Sequence, residues 1–218
     1  MPDTVPLSDL AIAAFCPRKL YYARQTDRIP PEDHETALEL ASAYSSILDL
    51  GPAAVADEDI AVSPEQFVEN LTAERRRLGR WDALADPAER EVFLAGKDVH
   101  GQVAKVLREP LAPTLVSPGE PPPEGVWQPQ SVRAVGAAKA LAWREQEPVE
   151  QAFVEYPRHG HVRKVRLTVR RTAEYRRTLR SVQAMDGPPP RLGNDAKCQT
   201  CRFAENCGVK TRTLRSFR

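Results

Sequence analysis

Three of the chain's four cysteines lie within ten residues, as Cys198-x2-Cys201-x5-Cys207, while the fourth, Cys16, stands 182 positions before Cys198. Three thiols on one short loop cannot complete a tetrahedral or cubane site alone, so a remote fourth cysteine is what such a loop needs. Any fold that uses all four must bring the two ends of the chain together. In a chain of 218 residues without secretory features, four cysteines read as metal or cluster ligands before they read as a disulfide framework. A structural zinc site is the plainer alternative, although zinc more often uses paired short knuckles, and Cys16 has no neighbouring cysteine. Unligated core cysteines are the remaining possibility.

Hydrophobic residues make up 41% of the chain and charged residues 28%. That balance belongs to a globular protein and excludes wholesale disorder or a fibrous repeat. No apolar run reaches the roughly 18 to 20 residues that span a bilayer, and Met1-Pro2-Asp3-Thr4 lacks the basic start and apolar stretch of a signal peptide, so a cytoplasmic protein is expected. The net charge of +1 conceals an asymmetry. Residues 1–130 carry 12 basic against 22 acidic residues, and residues 131–218 carry 19 against 8. A polyanion would meet the second half.

The chain reads as one mixed α/β domain of 1–218, with a helical part over 1–95, an α/β core over 96–186 and a cysteine-rich tail over 187–218. Ser8 is placed to cap a helix through Leu10, Ile12, Phe15, Leu20 and Tyr21 that Pro30-Pro31 ends, and Glu32 to Leu50 forms a second helix stopped by Gly51-Pro52. Pro52 to Val62 reads as a solvated connection. Ser63-Pro64-Glu65-Gln66 offers a capping box for a helix through Phe67, Leu71 and Leu78. Asp86 would cap a short helix over Pro87 to Leu94. Beyond Gly96 the period shortens. Strands are expected over Val99 to Leu107 and Pro113 to Ser117, a helix over Gln130 to Gln146, a strand pair over 149–156 and 161–169, and a last helix over Thr172 to Met185.

Phe15-Cys16-Pro17-Arg18-Lys19-Leu20-Tyr21-Tyr22 and Lys197-Cys198-Gln199-Thr200-Cys201-Arg202-Phe203-Ala204-Glu205-Asn206-Cys207 resemble the two terminal signatures of the CRISPR-associated RecB-like exonucleases, of the PD-(D/E)XK nuclease superfamily. The order of elements between the signatures is similar too. The resemblance implies a RecB-like core, a small mixed sheet flanked by helices. It also implies a four-iron, four-sulfur (4Fe-4S) cluster held by Cys16, Cys198, Cys201 and Cys207 that staples the termini together. Thiolates so far apart would close most of the chain into one loop, so cluster binding would remove much of the unfolded state's freedom.

The same resemblance places the catalytic groups, and they are absent. Superfamily chemistry needs an Asp at the end of one core strand and Glu-x-Lys on the next, so that two carboxylates hold a divalent metal and the lysine steadies the attacking water or developing charge. By resemblance the Asp position is Ala104, the Glu position Leu115 and the Lys position Ser117. The helix motif Gln-x-x-x-Tyr also fails, because Ala134 follows Gln130 at that spacing. Among Asp98, His100, Glu109, Glu120 and Glu124, none falls at adjacent inward positions where a relocated site would need it. A bound Mg²⁺ or Mn²⁺ is therefore not expected. His34 could resemble a histidine near the family's metal, but beside Asp33 and Glu35 it is read as a solvated surface residue.

Nine cations fall between Arg158 and Arg180 against one acid, Glu174. Arg163, Lys164, Arg166, Arg170, Arg171, Arg176, Arg177 and Arg180 are the expected contacts to a phosphate backbone, with the tail Lys210 to Arg218 adding charge. Arg166 and Arg170 are expected to share a strand face with Lys164. The leading expectation is an iron–sulfur protein that binds DNA without sequence specificity, catalytically inactive, working beside a CRISPR adaptation or DNA repair partner. An active exonuclease with relocated ligands and a zinc-stapled protein-binding scaffold are the alternatives.

Overall fold

The structure, a computed structural model, describes residues 4–26, 33–79, 81–193 and 195–208. The expected stop at Pro30-Pro31, the helix start at Glu32 and the basic tail Lys210 to Arg218 lie outside the described residues. The elements run β1 (Val5–Pro6), α1 (Leu7–Phe15), α2 (Pro17–Ala23), α3 (His34–Ser42), α4 (Tyr44–Leu50), α5 (Pro64–Leu78), α6 (Trp81–Ala85), β2 (Glu89–Ala95), β3 (Val99–Arg108), β4 (Leu111–Val116), α7 (Gln128–Glu145), β5 (Gln151–Tyr156), β6 (His161–Arg166), α8 (Val169–Gln183) and α9 (Asp195–Gln199).

A six-stranded mixed sheet carries the fold. It runs β1-β3-β4-β5-β6, with β2 also paired to β3. β1 and β5 lie parallel to β3 and β4 respectively, whereas the β2–β3, β3–β4 and β5–β6 pairs are antiparallel. Two cores result. Leu7, Leu10, Val103, Leu115, Val135, Leu141, Val154 and Leu179 pack α1, α7 and α8 against one face, while Leu40, Ile47, Phe67, Leu71, Leu107, Val116 and Phe153 pack α3 to α5 against the other. α7 approaches α1 closely because position 136 is glycine: a Cβ there would stand 2.9 Å from a Leu7 methyl and 3.0 Å from a Leu10 methyl. Among the described residues no helix is long and apolar enough to cross a membrane.

Several expected boundaries move. The first expected helix is two, because Cys16 adopts an extended conformation (φ −162°, ψ 117°) and Pro17, lacking an N–H, starts a new turn as readily as it ends an old one. Ala43 similarly divides α3 from α4. The expected helix over Pro87 to Leu94 is a strand: Val92 and Leu94 alternate with more exposed neighbours, and pairing with β3 decides against the local cap signal at Asp86. The link over Pro52 to Val62 holds a short 3-10 turn whose Val55 is fully buried, so it is not wholly solvated. α5 begins at the expected cap, Ser63 accepting from the Gln66 N–H at 3.2 Å.

Candidate functional site

The four cysteines line one small cavity, together with Phe15, Lys19, Leu192, Lys197 and Ala204. Cys16 reaches it from the break between α1 and α2, and the other three from α9 and the turns after it. All four thiols are free and half-buried. Among the described residues no group of three or more His, Cys, Asp or Glu side chains is drawn together closely enough to hold a metal ion.

Contacts between the chain ends hold this arrangement. Lys197 Nζ donates to the Phe15 carbonyl at 3.2 Å, Tyr22 donates its hydroxyl to the Asn206 carbonyl at 3.0 Å, and Arg18 donates to the Pro189 carbonyl at 3.0 Å. Lys19 and Lys197 both lie over the Phe15 ring, at 4.7 and 5.0 Å from its centre. The Arg18 guanidinium is held above its usual range, first by the Tyr22 hydroxyl and also by the Cys207 thiol. Three cations therefore border a site whose thiolates would be anionic.

The expected catalytic positions do not converge. Ala104 lines a cavity of about 150 Å³ with His34, Leu38, Glu91, Gln102, Val103, Val116 and Arg133. Leu115 points into the other core, beneath α7. Ser117 accepts a hydrogen bond of 2.7 Å from the Gln130 amide, so it too addresses α7. The strand residue that shares the Ala104 cavity is Val116, one place on from the expected Glu position, and it is as apolar as Leu115. Gln130 accepts from the Tyr156 hydroxyl, a tyrosine supplied by β5 where the expected motif would have placed it on α7.

His34 is a correction. It is half-buried on the cavity wall, and burial, followed by the nearby Arg133 charge, holds its imidazole below the usual range. The carboxylates Asp98, Glu109, Glu120 and Glu124 are all exposed, and His100 pairs with the Thr4 hydroxyl at 2.7 Å. Sequence inspection missed a carboxylate that is buried. Glu155 accepts from Lys105 Nζ at 2.8 Å and from the Thr114 hydroxyl at 2.6 Å, and Lys105 also donates to the Ala41 carbonyl at 2.8 Å. Both carboxylate oxygens and the ammonium group therefore have partners within the fold.

The basic stretch divides. Arg158 pairs with Asp33 and Asp59, and Arg163 with Glu74, which also holds Arg77 and His161. These acids come from distant segments, so local composition could not show the pairing. Arg170 and Arg171 lie in the first turn of α8 and not on the β6 face with Lys164, which sits 5.9 Å over the Phe153 ring. Arg166, Arg170, Arg176, Arg177 and Arg180 are exposed, with no acidic partner within 4 Å among the described residues. Arg176 lines a groove with Lys97, Lys139 and the half-exposed Trp143, and Lys139 continues into a second depression beside Arg166. Lys97, Lys139 and Trp143 were not legible as site residues because they come from separate elements.

No protein-family model matches the chain. No curated protein matches it. Among solved structures, that of SSO0001 is similar over 96% of this chain and 88% of its own, at 15% identity and a TM-score of 0.42.

Proposed function

We propose that this chain is an iron–sulfur-stapled protein with a RecB-like core that binds DNA through α8 and the adjoining groove and does not cleave it. The observation that carries the proposal is the shared cavity of Cys16, Cys198, Cys201 and Cys207. All-thiolate donors suit zinc or an iron–sulfur cluster, and the cations Arg18, Lys19 and Lys197 offset the negative charge that four thiolates carry. A 4Fe-4S cluster bound there would supply a covalent tie between the ends of the chain. The chain's own residues already position the tie through the Lys197–Phe15, Tyr22–Asn206 and Arg18–Pro189 contacts.

For DNA, the support is the set of exposed, unpaired arginines on one side of α8, whose buried side carries Tyr175, Leu179 and Val182. Trp143 beside Lys139 and Arg176 offers a stacking platform among cations, a combination suited to single strands. Against hydrolysis stand the apolar Ala104 and Val116 where the cavity would need carboxylates. By the resemblance, a CRISPR adaptation or DNA repair protein would be the partner.

Anaerobic purification tests the staple. The protein should be brown, with a broad charge-transfer band and about four irons per chain. Cys16→Ala should bleach it as fully as Cys201→Ala. Zinc without iron or sulfide would move the proposal to a zinc-stapled scaffold, and an intact cluster in Cys16→Ala would end the staple idea.

A further inference from the structure

We propose that the cavity lined by His34, Gln102, Ala104 and Arg133 is a phosphate-binding site, with the Arg133 guanidinium as the recognising cation. The cavity exists because β1 pairs with residues 99 and 100 of β3 and β4 pairs with residues 105–108 on the same edge. Residues 101–104 have no strand beside them there. α7 inserts Arg133 at this gap, where its Nε is sealed from solvent without a hydrogen-bond partner. No carboxylate lies within 4 Å of the guanidinium among the described residues; the one acid among the lining residues, Glu91, is exposed.

Arg133 is half-buried, and a cation drawn partly out of water with no acidic partner among the described residues is stabilised by an anion that pairs with it. The guanidinium fork matches the oxygens of phosphate, and the uncharged His34 imidazole and Gln102 amide can complete the hydrogen bonding. At about 150 Å³ the cavity has room for a tetrahedral oxyanion. Leu38, Val103 and Val116 supply apolar walls that strengthen the charge interaction. The proposal goes beyond the DNA surface of α8, which lies outside this cavity.

Inorganic phosphate titrated into the full, cluster-loaded chain, followed by amide NMR at constant ionic strength, tests it. Phosphate should saturably shift the amides of His34 and Gln102 to Ala104, and Arg133→Gln should weaken binding at least tenfold. Ala104→Asp, which sets a carboxylate inside the cavity with Arg133, should abolish binding and raise the melting temperature. This variant keeps the test decisive if Arg133→Gln does not fold. No shift in the wild type, equal shifts with chloride, or unchanged affinity in a folded Arg133→Gln or Ala104→Asp protein would overturn the proposal. A tenfold preference for 5′-phosphorylated over 5′-hydroxyl oligonucleotides, lost in Arg133→Gln, would assign the phosphate to a nucleic-acid end. Equal affinity for both oligonucleotides, with inorganic phosphate still saturating, would assign it to a free phosphate or nucleotide. Loss of DNA binding on substituting Arg166, Arg170 and Arg177 should leave the phosphate titration intact, so the two proposals fail separately.

Discussion

Lys105 on β3 and Glu155 on β5 form a 2.8 Å ion pair across the intervening β4, with their side chains only 3% and 0% exposed. The pair sits under α3, whose Ala41 carbonyl takes a second Lys105 proton, and beside the Tyr44 ring. Removing one member of such a pair leaves a buried charge uncompensated, at about 3 to 5 kcal/mol, whereas removing both charges is far milder. Lys105→Met should therefore lower unfolding stability by about 3 kcal/mol or more, and Lys105→Met with Glu155→Gln should recover most of it. Urea denaturation of the three proteins checks this. Equal losses in the single and double variants would mean that packing, not charge, matters there.

Local pattern made some of this legible and left the rest out. The shorter apolar period beyond Gly96 and the Ser63–Gln66 cap identify β3 and α5 because each signal agrees with the tertiary outcome. Glu89 to Ala95 misleads, since Asp86-Pro87 looks like a helix start and only pairing along the edge of β3 makes this segment a strand. Lys105 and Arg133 read as ordinary cations in sequence. One is buried because Glu155, 50 positions away, meets it, and the other is half-buried because β1 and β4 leave a gap beside β3. The shared cavity of the cysteines was legible because cysteine has so few other uses at that spacing.

Glu74 should set part of the acid stability. Burial alone would raise its carboxyl, but donors from His161, Arg77 and Arg163 outweigh burial and hold it below the ordinary carboxylate range. A carboxyl whose folded value is depressed stabilises above its unfolded value and loses that contribution as pH falls through the folded one. Glu74→Gln should cost roughly 1.5 to 3 kcal/mol at pH 7, and the gap to wild type should close as pH drops below the carboxylate range. Urea midpoints measured from pH 7 to pH 3 check it; a gap that stayed constant would assign the loss to shape alone.

With Mg²⁺ or Mn²⁺, the purified chain should not degrade single- or double-stranded DNA above a mock preparation, because no carboxylate among the described residues faces the Ala104 cavity except the exposed Glu91. Installing Asp, Glu and Lys at Ala104, Leu115 and Ser117 together should not restore cleavage either. Leu115 lies 2% exposed in the α7 core, so a Glu there is buried away from the Ala104 cavity and should destabilise the fold. Robust cleavage by wild type, abolished on mutating Glu109 or Glu120, would restore the active-exonuclease alternative.

The exposed arginines make the last prediction, and ionic strength is its measure. If α8 and the end of β6 track a phosphate backbone, observed DNA affinity should fall log-linearly with salt, by about 0.7 to 0.9 log units per tenfold salt for each phosphate neutralised. Arg166, Arg170 and Arg177 are exposed and, among the described residues, free of acidic partners, unlike Arg158 and Arg163, whose charge Asp33, Asp59 and Glu74 already absorb. Gln at the first three positions should flatten the slope by about two to three phosphates' worth and leave iron content unchanged. Gln at Arg163 should change the slope little and cost fold stability instead, because its partner Glu74 is buried. The contrast separates a DNA face from a solvated one: on a solvated face, binding is weak at every salt concentration and indifferent to the triple substitution.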